Sequence, residues 1–129
     1  MTDRLRPIGV FDSGVGGLTT VRELTRLLPG EDIIYLGDTA RVPYGTKSRE
    51  TIKRYAKQDF EFLKRFDVKL IVAACGTVSS TVEPGELGQG LYTGVIEPAV
   101  EAAVRATVSK RIGIIPTRAT IRSGSYSSL

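Results

Sequence analysis

The sequence is poor in the residues from which metal sites and disulfide bonds are made. Its 129 residues contain no histidine and one cysteine, Cys75. A single cysteine excludes an internal disulfide bond, and we expect no metal ion because protein zinc sites are built mainly from cysteine and histidine. Cys75 can therefore contribute to chemistry only as a free thiol.

Long apolar runs are also missing. No stretch reaches the ~20 apolar residues that a membrane-spanning helix needs. The sequence begins without a basic and then apolar leader ending in a small-residue cleavage site. These features predict a cytoplasmic protein with no membrane partner.

The charge is mildly positive, with a net value of +4. Lysine and arginine are scattered among glutamate and aspartate, and no nucleic-acid-binding motif is present. We therefore expect a surface that favours anionic small molecules, and no nucleic acid partner. The hydrophobic share of 41% is ordinary for a globular protein of about one domain.

Five short apolar segments recur along the chain, and helical patterns lie between most of them. The segments are continuous rather than alternating, which is typical of strands buried on both faces. Strands that alternate with helices predict an α/β fold with a doubly wound, mostly parallel sheet. The predicted strands are residues 8–11, 33–37, 70–74, 93–97 and 112–116.

Four helices are predicted between these strands. Ser48 can cap the second helix, and the third, after Cys75, must be short because Pro84 and nearby glycines interrupt it. The fourth is expected to begin at Pro98, since proline fits the first helical turn. The expected apolar faces are Leu18, Val21, Leu24 and Leu28 in the first helix and Ile52, Tyr55, Ala56, Phe60 and Leu63 in the second.

Polar residues follow the predicted strands. In doubly wound sheets, ligands bind beyond the carboxyl ends of the strands. We therefore expect these residues to converge on one rim of the sheet, where they would form a site. They are Asp12-Ser13, Asp38-Thr39, Cys75-Gly76-Thr77, Glu97 and Thr117.

The glycine-rich stretch "DSGVGG" connects the first strand to the first helix. The spacing of Gly14, Gly16 and Gly17 does not match the glycine spacing of a dinucleotide-binding fingerprint. The stretch "YGTKS" does not match a phosphate-binding loop either, because a threonine separates its glycine from its lysine. Two interpretations remain open. The stretch is either a tight structural turn or a turn whose backbone amides hold a carboxylate.

Two further features allow more than one interpretation. Cys75 is either an inert core residue or a reactive thiol at the end of a buried strand. The polar segment "GDTARVPYGTKS" is either a surface connection or a loop that covers a ligand, with Tyr44 and the amide of Gly45 in reach.

Several motifs in order resemble the amino-terminal half of a bacterial glutamate racemase. They are "FDSGVGGLT", "YLGDTARVPYGTKS", "VAAC", "GVIEPAV" and "ATIRSG", and the resemblance runs from Ile8 to about Tyr126. It implies an enzyme that needs no cofactor and interconverts L- and D-glutamate for peptidoglycan synthesis. It also implies a fold of two α/β lobes, with residues 1–97 as an incomplete first lobe and 98–129 as the start of the second.

The resemblance also assigns the site residues. Cys75 matches the first of two catalytic cysteines, the one acting on the D-glutamate face, and Asp12 would support this thiol and the substrate amino group. Ser13 would donate to the substrate, and Thr77 matches a threonine that binds its carboxylate. The remaining implied substrate-binding residues are Pro43, Tyr44, Gly45, Gly76, Thr117 and Thr120.

The sequence departs from the family pattern in three places. The second catalytic cysteine belongs to a Cys-Thr-His segment that this sequence does not contain, Gly76 replaces the usual asparagine, and Pro116 stands where glycine is common. Racemisation by two bases needs an acid on the face opposite the base. We therefore expect the isolated chain to be inactive in racemisation. We also expect a homo-oligomer, because apolar faces that the other half of the family fold would cover need a second copy to cover them. The alternative is a non-catalytic protein that binds a dicarboxylic amino acid or a partner protein.

Overall fold

A computed structural model describes residues 5–88 and 90–128. Its centre is a sheet of four parallel strands in the order β2-β1-β3-β4. Ile8 in the central strand β1 pairs with Ile33 of β2 on one side and with Leu70 of β3 on the other. This arrangement confirms the predicted α/β fold. The strands are β1 (Ile8–Asp12), β2 (Ile33–Gly37), β3 (Leu70–Ala73) and β4 (Tyr92–Thr93).

Seven α-helices accompany the sheet in the described part of the chain. Ser48 caps α2 as predicted, because its Oγ accepts a hydrogen bond of 3.2 Å from the amide of Thr51. Within the described ranges, no helix is both long and apolar enough to cross a membrane. The helices are α1 (Leu18–Leu27), α2 (Arg49–Lys64), α3 (Gly76–Thr81), α4 (Pro84–Leu87), α5 (Ile96–Ala106), α6 (Arg118–Ser123) and α7 (Ser125–Ser128), with a 3₁₀ turn at Tyr44–Thr46.

Helices cover both faces of the sheet, which makes it doubly wound. Phe11 and Ile71 point to one face, where they join the buried residues of α2, while Val10 and Val72 point to the other, toward α1. The predicted face of α2 is confirmed. In α1 the prediction is only half right, because Val21 and Leu24 pack on the sheet whereas Leu18 and Leu28 are 48% and 42% exposed.

The fourth predicted strand, residues 93–97, is mostly wrong. Strand β4 contains two residues, Tyr92–Thr93, and the chain enters α5 at Ile96, two residues before Pro98. A proline lacks an amide proton but fits anywhere in the first turn, where that proton has no partner within the helix. The expected lobe boundary between residues 97 and 98 falls inside α5.

The fifth predicted strand, residues 112–116, is wrong as well. This segment has no regular secondary structure, and the side chain of Ile115 is fully exposed. A strand exists only through its hydrogen bonds to a neighbour, and none of the four strands of the described sheet pairs with this segment. Its apolar composition therefore does not by itself produce a strand.

Candidate functional site

The glycine-rich corner is built around the carboxylate of Asp12. Asp12 ends β1 and is buried, and its Oδ2 accepts a hydrogen bond of 2.8 Å from the amide of Gly17. A Cβ atom at Gly17 would lie 2.8 Å from the Cβ of Asp12 and 3.0 Å from that of Ala74. The corner thus needs glycine at position 17, and one of its amides already holds a carboxylate from the chain itself.

The thiol of Cys75 lies next to this corner. Cys75 is 5% exposed and immediately precedes α3, and its Sγ donates a hydrogen bond of 3.3 Å to the Oγ of Ser13. The contact joins the carboxyl ends of β1 and β3, which are neighbours in the sheet. The structure therefore brings together two of the predicted site residues that are 62 positions apart in the chain.

Tyr35 also belongs to this part of the rim, although the sequence analysis missed it. Its hydroxyl donates a hydrogen bond of 2.9 Å to the carbonyl oxygen of Gly14. Burial raises the pKa of the Tyr35 hydroxyl, and electrostatic interactions with Asp12 and Cys75 raise it further. The available signal was an aromatic hydroxyl two residues before the carboxyl end of β2, the strand beside β1.

Three predicted threonines form a second group. The hydroxyls of Thr77 and Thr117 are 3.0 Å apart, and those of Thr117 and Thr120 are 3.1 Å apart. Ser80 donates to the Thr120 hydroxyl at 3.1 Å, which ties α6 to α3. Thr117 also caps α6, since its side chain accepts a hydrogen bond from the amide of Thr120.

A cavity of about 240 Å³ adjoins the threonines. Gly76 is exposed, and a Cβ there would meet nothing within 4 Å, so the position of the usual asparagine opens onto free space. The lining of the cavity combines threonines with apolar side chains. Its lining residues are Gly76, Thr77, Ile114, Ile115, Pro116, Thr117, Thr120 and Tyr126.

The loop after β2 reaches the same threonines through Gly45. A Cβ at Gly45 would lie 2.7 Å from the Cβ of Thr117, so the two residues are in direct contact. Pro43 is exposed, follows a cis peptide bond and precedes the 3₁₀ turn. Tyr44 is 1% exposed, and its hydroxyl contacts the carboxylates of Asp38 and Asp59.

Asp59 is a second residue that the sequence analysis missed. It lies on α2, is 4% exposed and contacts Arg41 and Tyr44. Burial raises the pKa of the Asp59 carboxyl to about 6, the nearby charge of Asp38 adds to the rise, and Tyr44 and Arg41 oppose it. The sequence did carry a signal, because Asp59 has the helical spacing of the apolar residues Ile52, Ala56 and Leu63.

Glu97 is placed apart from the residues described so far. It lies in the first turn of α5 and lines a separate cavity of about 230 Å³ together with Ser79, Ser80 and Tyr92. The structure thus gathers the predicted residues into a pair, Ser13 with Cys75, and a cluster of Gly45 with the three threonines. Asp12, which binds the Gly17 amide, directly precedes Ser13 of the pair, and Gly76 and Thr77 connect Cys75 to the cluster along the chain.

Comparisons of sequence and of structure with known proteins both find glutamate racemases. No protein-family model matches the chain, but a glutamate racemase of Thermoanaerobacter sp. (strain X514) is 48% identical over 122 residues, which is 95% of this chain and 46% of that protein. The crystal structure of Thermus thermophilus glutamate racemase in complex with β-chloro-D-alanine matches with a TM-score of 0.88 and 49% identity, over 98% of this chain and 49% of the other.

A second solved structure agrees. Glutamate racemase from Francisella tularensis in complex with D-glutamate matches with a TM-score of 0.86 and 44% identity, over 97% of this chain and 48% of the other. The chain therefore spans about half the length of the relatives it matches, consistent with an amino-terminal half. Because sequence and fold agree over nearly all its residues, the chain corresponds to the amino-terminal half of the glutamate racemases that it matches.

Proposed function

We propose that this chain carries one half of a glutamate racemase site, in which the thiol of Cys75 exchanges the α-proton of glutamate on one face. The observation that carries the proposal is the contact between Cys75 Sγ and Ser13 Oγ at the carboxyl ends of two neighbouring strands. The relatives support an amino acid substrate, since the Francisella protein was solved with D-glutamate and the Thermus protein with β-chloro-D-alanine.

In this proposal Ser13 stabilises both forms of the catalytic sulfur. It accepts a hydrogen bond from the neutral thiol, and after deprotonation its hydroxyl can rotate and donate to the thiolate. Hydrogen bonds to charged groups are worth about 1.5–3 kcal/mol, which favours the reactive form. Asp12 supports this corner through Gly17 and would orient the substrate amino group.

The cavity beside the threonines would receive the rest of the substrate. Thr77 and Thr117 present hydroxyls to it, and the backbone of Gly45 contacts Thr117, so all three would hold the carboxylate. Three further residues would act indirectly. Thr120 would support Thr117, and Tyr44 would fix the loop that contains Pro43 and Gly45.

The chemical step needs one thiolate. The Cα–H bond of glutamate breaks, its proton goes to the Cys75 sulfur, and the electron pair stays on the substrate as a carbanion. The thiol then exchanges its proton with solvent and returns one to the same face, so that configuration is retained. Inversion needs an acid on the opposite face, and because Cys75 is the one cysteine of the sequence, we propose that the isolated chain exchanges without racemising.

The proposal includes the wider role implied by the family. The whole protein would interconvert L- and D-glutamate for peptidoglycan synthesis, without a cofactor, in the cytoplasm and as a homo-oligomer. Residues 1–97 would belong to its first lobe and 98–129 to its second, with α5 as the connection.

Isotope exchange tests the chemical step. L- and D-glutamate are incubated separately in heavy water with the unmodified chain and with Cys75→Ala, and α-deuterium and chirality are measured. We expect slow deuterium incorporation with retained configuration, lost in the variant. Appreciable inversion by the unmodified chain would refute the need for two thiols, and exchange that persists in Cys75→Ala would show that Cys75 is not the base.

Alkylation of the single thiol tests substrate binding independently. Iodoacetamide can modify one cysteine in this chain, so the modified fraction can be followed by intact mass. We expect glutamate to slow the modification and glutarate, which has the same carbon chain without the amino group, to slow it less. Equal rates with and without glutamate would contradict a substrate site at Cys75.

A second candidate function is non-catalytic binding of a partner protein. Val108, Ile112, Ile114 and Ile115 are exposed, and such clusters of apolar side chains often mark interfaces. Sedimentation at micromolar concentration distinguishes the two candidates when it is combined with the exchange assay. Self-association without any exchange would favour the binding function.

A further inference from the structure

A buried cluster of charged and hydroxyl groups anchors the loop that follows β2. Tyr44 contacts both Asp38 and Asp59 through its hydroxyl, with a distance of 2.9 Å to Asp59 Oδ2. Arg41 donates to Asp38 Oδ2 at 2.6 Å and to Asp59 Oδ1 at 2.9 Å. The cluster thus ties the loop, which contributes Asp38, Arg41 and Tyr44, to helix α2, which contributes Asp59.

For both contacts of the Tyr44 hydroxyl to be hydrogen bonds, the cluster must hold one more proton than it does when Asp38 and Asp59 are both ionised. A tyrosine hydroxyl has a single proton and can donate to one carboxylate at a time. Tyr44 nevertheless lies within hydrogen-bonding distance of two. If it donates to Asp38, the second contact is a hydrogen bond only when Asp59 is protonated and donates to the tyrosine oxygen.

The charge balance points the same way. With both carboxylates ionised, Arg41 leaves one negative charge uncompensated in a buried place, whereas protonation of Asp59 makes the cluster neutral. Burial raises the pKa of Asp59 to about 6, and among the described residues the other groups that act on it are Tyr44, Asp38 and Arg41. The sequence has no histidine, the side chain whose ordinary pKa is about 6.5, so a transition near pH 6 can be assigned to Asp59.

The cluster is connected to the candidate site by one residue. Gly45 follows Tyr44 and touches Thr117, whose hydroxyl lies 3.0 Å from that of Thr77. When Asp59 ionises, the hydroxyl of Tyr44 faces two carboxylates with one proton, and one of the two contacts becomes repulsive. Movement of Tyr44 carries Gly45 with it and loosens the contact with Thr117.

We propose that Asp59 is a positioning residue whose protonation holds Tyr44, and through it Gly45, against the threonine cluster. A consequence, which rests on the proposed function, is that the chain binds glutamate more tightly below pH 6 than above it. The expected change is about three- to tenfold, comparable to one hydrogen bond.

Nuclear magnetic resonance tests the loop position without any ligand. Spectra of the labelled chain are recorded from pH 4.5 to 7.5, following the Gly45 amide and the nuclear Overhauser effect between Gly45 Hα and the Thr117 methyl group. We expect both to change with a midpoint near pH 6. Asp59→Asn, which cannot ionise but retains a donor for Tyr44, should show no transition, and Glu61→Gln, an exposed carboxylate on the same helix, should leave it intact.

The outcomes separate this inference from the proposed function. Absence of a transition in the unmodified chain overturns the inference whether or not the variants fold, and so does a transition that survives in Asp59→Asn. Glutamate titrations at pH 5 and pH 7.5 then test the consequence. If the loop transition is present but glutamate binds at neither pH, the proposed function fails and the positioning role of Asp59 stands.

Discussion

Replacing Gly17 by alanine would put a methyl group where two other side chains already lie. The new Cβ would be 2.8 Å from the Cβ of Asp12 and 3.0 Å from that of Ala74. Carbon atoms in contact prefer separations of about 3.5–4.0 Å, so α1 or β1 must shift. The shift also lengthens the buried hydrogen bond from the Gly17 amide to Asp12.

Both effects can be given a magnitude. Overpacking a well-filled interior costs about 1–3 kcal/mol, and a hydrogen bond to a charged group contributes about 1.5–3 kcal/mol. Because a relaxation that relieves the clash sacrifices part of the hydrogen bond, we expect the free energy of unfolding to fall by about 2–4 kcal/mol. For a domain whose total stability is typically about 5–15 kcal/mol, this is a large fraction.

Urea denaturation followed by circular dichroism measures the change, and the adjacent glycine provides a matched control. A Cβ at Gly16 would be 3.7 Å from the nearest atom, an Asp12 carboxylate oxygen, which is an ordinary contact. We expect Gly16→Ala to change stability by less than about 1 kcal/mol. Equal stabilities of the two variants would show that close approach at Gly17 does not organise the corner.

Three further changes are expected to have smaller or pH-dependent effects. Ser48→Ala removes the cap of α2 and should cost about 1 kcal/mol in urea denaturation, with no change contradicting the capping role. Thr117→Val removes the hydroxyl contacts with Thr77 and Thr120 and should cost about 1–2 kcal/mol, whereas Thr93→Val on the exposed side of β4 should cost less. The pKa of Asp59 rises from 3.8 to about 6 on folding, so the folded state binds the Asp59 proton more tightly than the unfolded state does. The free energy of unfolding should therefore fall by at most about 3 kcal/mol as pH rises from about 4 to 6. Asp59→Asn should remove that contribution, and a stability that rises over this range relative to the variant would contradict the shift.

Strands β1 and β3 and the apolar face of α2 could be predicted because their apolar residues are mostly buried in the protein interior. Strands β1, β2 and β3 read as continuous apolar runs, and α2 repeats its apolar residues at helical spacing. The same pattern placed polar residues at the strand ends, and the resemblance to a family then assigned roles to some of them. Spacing alone could not distinguish their roles, because the thiol contact of Ser13 and the direction of the Tyr44 hydroxyl depend on which strands become neighbours.

The two failed strands have different physical causes. Residues 93–97 are followed directly by Pro98, and from Ile96 onward the chain forms α5, which pairs backbone groups within the helix, whereas a strand needs a neighbouring strand. Residues 112–116 form no helix and pair with none of the strands of the described sheet, and the side chain of Ile115 is exposed. Leaving apolar side chains in water forgoes about 25 cal/mol for each square ångström that could be buried. We therefore expect that a neighbouring strand edge that both pairs with this segment and buries its side chains would convert it into a strand, and it would also fix Pro116 and Thr117 on the wall of the cavity where we propose that glutamate binds.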